Sequence, residues 1–211
     1  MMYRTVMNEG RGEYEEKRSV FYGVCLPVKT ESEALALIAA EKKRYPDARH
    51  HVYAYLLSDG NTTRYSDDRE PQGTAGIPIL DMLRKEGLTD LCCVVTRYFG
   101  GTLLGTGGLV RAYTAAAKAA MLAAVPARGE ATVVATLTLS YAEHTKIAPL
   151  LEKHGVRVTD TAYSDSVTLA MEIAQERYDG FVAAVTEWSG ARLVPMATDR
   201  IFLLVPDCGN G

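Results

Sequence analysis

The pattern of apolar and polar positions in the first half of the chain changes repeatedly between strand and helix periods. Stretches rich in β-branched and aromatic residues predict strands at 19–28, 51–57, 62–65 and 88–98. Stretches of helix formers with one apolar face predict helices at 34–45, at 75–86, and from a glycine-rich segment to residue 124. Thr30 and Glu33 form a capping-box signal before the first helix. The polar, turn-rich residues 67–73 are predicted to form a loop.

The second half has a strand–helix–strand–strand–helix–strand rhythm. Its predicted strands lie at 131–141, 156–162 and 166–173 and within 191–205, and its predicted helices at 144–153 and 176–189. Pro149 falls inside the first helix, so we expect it in the first turn or at a kink. This rhythm is that of a ferredoxin-like βαββαβ domain. A short Pro/Gly connection at 126–129 divides the halves, so we expect domains at 1–128 and 129–211 and an α+β fold class.

Composition narrows the class of protein. The 211 residues are 47% hydrophobic and 23% charged, which is ordinary for a globular protein. No run of about 18 apolar residues and no apolar leader is visible, so we expect no membrane partner and a cytoplasmic location. Residues 1–129 carry 17 Lys/Arg and 15 Asp/Glu, and residues 130–211 carry 6 and 11. RNA contact would therefore need a local basic patch.

Cysteines and histidines do not indicate a metal or redox site. The four cysteines match no zinc or redox spacing, and a cytoplasmic protein rarely forms disulfides. Cys92 and Cys93 lie in an apolar run, where we expect buried structural thiols. The four histidines are scattered along the chain. We therefore expect no bound cofactor, with Mg²⁺ as the one candidate discussed below.

The most informative segment is 96–111, where five glycines fall within nine positions. It lies between an apolar strand and an alanine-rich helix, and Arg97 and Arg111 stand on either side of the glycines. Unpaired N–H groups at a helix start attract anions, and arginines add bidentate hydrogen bonds. The alternative is tight strand-to-helix packing without a ligand. Arg111 also has an alternative, since it could pair with Asp81 or Asp90.

An acidic loop precedes this segment in the chain. Asp67, Asp68 and Glu70 could cap the following helix, or hold Mg²⁺ together with phosphate oxygens. A third possibility is that Asp68 or Glu70 pairs with Arg97. The Thr74 and Thr106 hydroxyls could donate to an anion or cap a helix. The nearby aromatic residues could either pack in the core or stack on bases. They are Tyr53, Tyr55, Tyr65, Tyr98, Phe99 and Tyr113.

Two long motifs together resemble the YigZ/IMPACT family. They are the segment DDREPQGTAGIPIL at 67–80 and the segment VVTRYFGG followed by GTGGLVRAY at 94–101 and 105–113. The resemblance covers nearly the whole chain. It implies a two-layer N-terminal α/β domain like the second domain of a small-subunit ribosomal protein, a fold shared with galactokinase-type kinases. It also implies a C-terminal ferredoxin-like domain resembling the last domain of elongation factor G.

The resemblance also bears on function. Eukaryotic relatives act in translational control, by competing for the partner that activates a stress-responsive initiation-factor kinase. Our first hypothesis is therefore a translation-linked regulator that contacts RNA, the ribosome or a protein partner. The second is an enzyme or nucleotide-binding protein acting on a phosphorylated small molecule. No Ser-His-Asp or Cys-His arrangement is visible, so an enzyme is the less favoured of the two.

Two positions depart from the family pattern. The family usually has glycine where this chain has Arg69, and commonly lysine where it has Leu103. The residues expected to bind an anion or a partner are Arg97, Tyr98, Gly100, Gly101, Gly105, Thr106, Gly107, Gly108, Arg111, Asp68, Glu70 and Thr74.

Overall fold

A computed structural model describes residues 3–207, which divide into two compact units between Arg128 and Gly129. The segment from Val205 to Asp207 belongs to the first unit, although the sequence analysis placed it in the second domain. The reason is local pairing, because the Asp207 N–H donates to the Pro126 carbonyl at 2.9 Å. The Arg4 guanidinium also pairs with the Asp207 carboxylate at 2.7 Å.

Six strands and three helices make up the first unit before residue 126. The strands are β1 (Arg4–Val6), β2 (Gly10–Glu16), β3 (Ser19–Pro27), β4 (His50–Leu57), β5 (Thr62–Ser66) and β6 (Leu91–Tyr98). The helices are α1 (Glu31–Arg44), α2 (Gly76–Lys85) and α3 (Gly105–Ala123). A single 3₁₀ turn lies between β4 and β5. Strands β2 to β6 form an antiparallel sheet in the order β2-β3-β6-β4-β5, and β1 lies outside it.

Strand β6 lies at the centre of this sheet, and both of its faces are apolar. Cys93 and Val95 face the core that also contains α2 and α3. Cys92 and Val94 face the core that contains α1. Helices therefore cover both faces of the sheet, where the sequence analysis expected two layers in all.

The capping signal before α1 is confirmed. The Thr30 hydroxyl accepts a hydrogen bond from the Glu33 N–H at 3.2 Å, and the Glu33 carboxylate accepts from the Thr30 N–H at 3.3 Å. Three basic residues in the last turn of α1 complement the negative end of the helix dipole. The helix start and end are therefore fixed by local sequence.

Strand β2 was not predicted from the sequence, because the residues on its outward face are charged. Its inward positions are Gly10, Gly12 and Tyr14. A Cβ atom at Gly10 or Gly12 would overlap the backbone of α3, so glycine is required where this strand crosses the helix. The alternation of glycine, glycine and tyrosine was the signal that could have revealed the strand.

The second unit follows the predicted element order. Its elements are β7 (Pro126–Leu139), α4 (Tyr141–His144), α5 (Ala148–Lys153), β8 (Arg157–Tyr163), β9 (Val167–Ala174), α6 (Gln175–Trp188) and β10 (Met196–Pro206). Strand β7 begins in the first unit, where its first three residues pair with β1. The strands of the second unit are ordered β10-β7-β9-β8. The α+β class, with antiparallel sheets, is confirmed.

The predicted helix at 144–153 is two short helices in the structure. Pro149 lies in the first turn of α5, where its missing N–H leaves no hydrogen bond unmade. The core of this unit joins the inward faces of β7 and β9 to α6 through Val133, Leu137, Ile173 and Phe181.

Two findings concern the whole described part of the chain. Within residues 3–207, no helix combines the length and the apolar character that crossing a bilayer requires. Cys25, Cys92 and Cys93 are buried free thiols, and burial raises the pKa of the Cys92 thiol. Cys208 lies outside the described residues.

Candidate anion-binding site

Arg97 is placed by strand alternation on the α3 side of β6, opposite Phe21 of β3 and His50 of β4. Only 6% of its surface is exposed. Its Nη1 donates to Glu70 Oε1 at 2.7 Å, and its guanidinium lies 5.4 Å from the centre of the Phe21 ring. Arg97 is therefore buried and forms an ion pair with Glu70. A pair between Arg97 and an acidic residue of this loop was the third possibility that the sequence left open.

Tyr113 completes this buried group from α3. Its hydroxyl donates to the same Glu70 Oε1 at 2.7 Å, and its ring packs edge-to-face against Phe21 at 5.0 Å. Burial, together with the nearby Glu70 charge, raises the pKa of Tyr113 well above its ordinary value. One carboxylate oxygen thus joins the acidic loop, the end of β6 and α3, which fixes the elements around the glycine-rich segment.

Asp67, in this loop, caps the start of α2. Its Oδ1 accepts from the N–H groups of Ala75 and Gly76 at 3.1 and 2.7 Å, and its Oδ2 accepts from Gly73 at 2.8 Å. A carboxylate at a helix N-terminus satisfies donors that the helix leaves unpaired and complements the dipole. The helix-cap interpretation of Asp67 is therefore confirmed.

Asp68 and Thr74 are also engaged within the protein. Asp68 Oδ2 accepts from the His51 N–H at 2.6 Å, and its carbonyl oxygen lies 2.8 Å from His50 Nδ1. The Thr74 hydroxyl donates to the Pro71 carbonyl at 2.6 Å. Among residues 3–207, no group of three or more His, Cys, Asp or Glu side chains is arranged to hold a metal ion. The structure thus gives Asp68 and Glu70 separate protein partners rather than one shared site.

The start of α3 is different, because its first main-chain N–H groups lack a partner among residues 3–207. Leu104 occupies the N-cap position and offers no side-chain oxygen. In the described part of the chain, the main-chain N–H groups of Gly105, Thr106 and Gly107 have no hydrogen-bond acceptor. All three residues are exposed. The helix therefore presents unpaired donors and the positive end of its dipole to solvent.

Four of the five glycines have a structural reason to be glycine. A Cβ atom at Gly100 would overlap the backbone of Arg18, and one at Gly108 would lie 2.9 Å from Leu104 Cβ. Gly101 and Gly105 have φ values of +84° and +71°, in the left-handed region. Gly107 has no such reason, since its φ is not positive and its Cβ position is open.

Arg111 folds back toward the helix start. Its Nη1 lies 3.7 Å from the position that a Cβ atom at Gly107 would occupy. The side chain is exposed, and its guanidinium has no ion-pair or hydrogen-bond partner within residues 3–207. The suggested partner Asp90 is occupied by Tyr3, Lys29 and Ser58. A cation beside the positive end of a helix dipole is unfavourable unless an anion joins it.

The aromatic residues divide between the two faces of the sheet. Tyr98 lies on the face opposite Arg97, where its hydroxyl donates to Asp47 Oδ1 at 2.6 Å and its ring meets Tyr22 and Tyr45. The hydrogen bond with Asp47 raises the pKa of Tyr98 to about 12. Phe99 is 55% exposed, with the Arg97 guanidinium 5.6 Å from its ring centre. Phe99 is thus an exposed ring next to Arg97, whereas the Tyr98 ring lies on the opposite face of the sheet.

Sequence reasoning missed the histidines of this region. His50 Nε2 lies 3.9 Å from Glu70 Oε1, and the His51 ring is 6% exposed next to Asp68. Burial lowers the pKa of His51. Strand pairing sets His50 beside Arg97, and this register is not visible in the sequence.

Family models and similar proteins assign this chain to one and the same family. A family model described as the Impact N-terminal domain matches residues 17–121, and a domain of unknown function, DUF1949, matches 137–192. An IMPACT family member of Haemophilus influenzae is 35% identical over 186 residues, covering 86% of this chain and 90% of the relative. The chain belongs to the IMPACT family.

Two further likenesses extend over most of the chain. The IMPACT family member YigZ of Escherichia coli is 32% identical over 189 residues, covering 88% of this chain and 93% of YigZ. A crystal structure described as that of a hypothetical protein is 30% identical, with a TM-score of 0.57, and covers 94% of this chain and 98% of its own.

The structure explains one departure from the IMPACT pattern noted above. Arg69 has a φ of +70°, a conformation in which glycine is favoured. Its Nη2 donates to the Arg49 carbonyl at 2.6 Å, so the segment before β4 holds the side chain. Leu103 is 82% exposed, so a lysine there would place a charge in solvent beside the start of α3.

Proposed function

We propose that this IMPACT family member is a translation-linked binding protein that contacts the phosphate backbone of RNA, free or in the ribosome, through the start of α3. The link to translation rests on the family. The observation that supports the RNA contact is the arrangement of Gly105–Gly107 and Arg111. Unpaired main-chain donors and an unpaired guanidinium face the same exposed helix turn.

Electrostatics favour a phosphate at this position. The N–H groups and the dipole favour a negative charge by about 0.3–1 kcal/mol each when exposed. The Arg111 guanidinium supplies a fork of donors matched to two phosphate oxygens. Because Gly107 has no side chain, a phosphate can approach the main chain closely. The same helix turn thus supplies charge, donors and space.

The surroundings favour a polymer over a single phosphate. Lys17 and Arg18 are exposed in the β2–β3 hairpin, and the Arg18 backbone lies against Gly100. Exposed Phe99 offers a stacking surface, which is worth about 1–3 kcal/mol per base. We infer that these residues, together with Arg111, supply the local basic patch and the aromatic ring that RNA contact requires in a chain of net charge −3.

Catalysis has weaker support from the side chains present. Asp67 caps α2, Asp68 accepts from His51, and Glu70 accepts from Arg97 and Tyr113. General acid–base chemistry needs a carboxylate within reach of the substrate, and these three are already directed at protein donors. For the same reason we assign no role to Mg²⁺ at Asp68 and Glu70.

Ribosome co-sedimentation and RNA binding across a salt series test the proposal. We expect binding that is strongest at low salt and that falls linearly on a log–log plot, because phosphate contacts release counterions. Absence of RNA binding at low salt would reject the RNA contact. Co-sedimentation that persists after nuclease treatment would identify a protein partner instead.

A phosphorylated small molecule is the alternative ligand. One observation favours it, because the Arg97 Nε is buried without a hydrogen-bond partner in the described residues. To satisfy it, a ligand would have to enter the buried space around Arg97, which is 6% exposed. A thermal-shift screen of nucleotides and sugar phosphates with Mg²⁺ separates the two, since a ligand at 100 times its Kd stabilises by about 2.7 kcal/mol. A shift without RNA binding would establish the alternative.

A further inference from the structure

The second unit contains a cavity that plays no part in the proposed function. It measures about 370 Å³ and lies between the start of α4 and the end of α6. Its wall includes Lys146, Trp188, Arg192 and Glu143. Ligand sites span roughly 300–1,000 Å³, so the space suits one small molecule.

Two cationic side chains line this cavity, although the second unit as a whole is acidic. Residues 130–211 carry 6 Lys/Arg against 11 Asp/Glu, and two of the six cations line the cavity. The Lys146 ammonium has no ion-pair or hydrogen-bond partner within the described part of the chain. Lys146 is exposed on the cavity wall, so its ammonium can attract an anion that enters the cavity.

The Arg192 guanidinium contacts two neighbouring residues, Ser189 and Glu143. Its Nε donates to the Ser189 carbonyl at 2.9 Å, and its Nη2 lies 3.1 Å from Glu143 Oε1. The Ser189 hydroxyl is itself buried and accepts from the Leu193 N–H at 3.0 Å. These two contacts restrain the guanidinium, while the Arg192 side chain remains 71% exposed and part of its donor fork faces outward. Glu143 competes with any incoming anion for this arginine.

Trp188 supplies the flat surface of the site. Its side chain is 39% exposed and lines the cavity. An aromatic ring of a ligand can stack against the indole or meet it edge-to-face. The indole N–H has no acceptor among residues 3–207, so it can also donate to a ligand.

We propose that this cavity binds a small molecule in which a planar ring carries an anionic group. The ring lies against Trp188, and the anion lies between Lys146 and Arg192. The ligand is about the size of a nucleoside monophosphate or smaller. This site is separate from the start of α3, and it does not depend on the RNA proposal.

Tryptophan fluorescence tests the site directly, because Trp188 is the chain's one tryptophan. The full chain is titrated with adenosine monophosphate, with benzoate, and with uncharged adenosine. We expect saturable quenching by at least one of the two anions, at a Kd of about 1 mM or below, and at least about tenfold weaker binding of adenosine. Quenching by only one anion identifies phosphate or carboxylate as the preferred group.

Variants connect the signal to the cavity. Lys146→Gln and Arg192→Gln should each weaken binding about tenfold, and Lys153→Gln, an exposed change outside the cavity, should leave it unchanged. Glu143→Gln should tighten binding, since it removes a competing carboxylate, and glutamine still serves in a capping box with Ser140. No saturable quenching by either anion, or quenching indifferent to Lys146→Gln and Arg192→Gln, would overturn the proposal.

Discussion

Arg97 and Tyr113 donate to one and the same oxygen, Oε1 of Glu70, each at 2.7 Å. The two donors come from β6 and α3, and the acceptor comes from the loop before α2. This buried link positions the start of α3 without itself facing solvent. Arg97 and Glu70 are therefore positioning residues in our account, whereas Gly107 and Arg111 contact the ligand.

Removing the carboxylate charge should destabilise the fold strongly. We expect Glu70→Gln to lower the free energy of unfolding by about 3–5 kcal/mol, because Arg97 is left as an unpaired buried charge. Tyr113→Phe should lower it by about 1.5–3 kcal/mol, the usual range for a hydrogen bond to a charged group. Urea unfolding measures both, with Glu15→Gln, an exposed position on the outward face of β2, as the control. A loss below about 1 kcal/mol for Glu70→Gln would refute the buried ion pair.

Gly107→Ala should separate stability from binding. Alanine is preferred over glycine in a helix by about 0.5–1 kcal/mol, and the added Cβ meets only Arg111 Nη1 at ordinary contact distance. We therefore expect a more stable protein that binds RNA more weakly, because the methyl group covers the main-chain donors. Thermal unfolding and RNA titration on the same preparation check this. A destabilised variant would mean that Gly107 is required by the fold.

Arg69→Gly should stabilise the protein despite the loss of a side chain. Arg69 has a φ of +70°, and relief of this strain is worth about 1 kcal/mol. Arg64→Gly, on the extended strand β5, is the matched control and should destabilise, since glycine weakens strands. Urea unfolding of the two variants decides the point. Equal destabilisation by both would show that the Arg69–Arg49 hydrogen bond outweighs the strain.

Stability should fall as the pH drops below about 6.5. Burial lowers the pKa of His51 in the folded protein, so the unfolded chain binds its proton more readily. Stability is therefore complete above the unfolded pKa and declines as the pH falls toward the lower folded value. His51→Gln should flatten this part of the profile. An unchanged slope in His51→Gln would assign the effect to another group.

Local signals in the sequence predicted most of the fold. The capping box at Thr30 predicted the start of α1, and the glycine-rich segment predicted a turn between a strand and a helix. Strand β2 was missed because Gly10 and Gly12 meet α3 about 110 residues away in sequence, and only the folded packing shows why they are glycines.

The candidate site was only partly predictable, for a related reason. Arg97 and Glu70 were identified as site residues, but their mutual pairing depends on how the loop after β5 folds against β6. The inward direction of Arg97 follows from its register opposite Phe21, which the sequence does not encode locally. For Arg111 the sequence left both an ion pair and a ligand role open. Within residues 3–207 its guanidinium has no ion-pair partner, which favours the ligand role that we propose.

The slope of RNA affinity against salt concentration tests the central claim most directly. If Arg111 and the α3 start bind a phosphate, Arg111→Gln should weaken RNA binding and reduce the log–log salt slope by about 1. Lys118→Gln, an exposed cation farther along the same helix, should leave the slope unchanged. Equal slopes for the wild-type protein and Arg111→Gln, at full RNA affinity, would contradict the account.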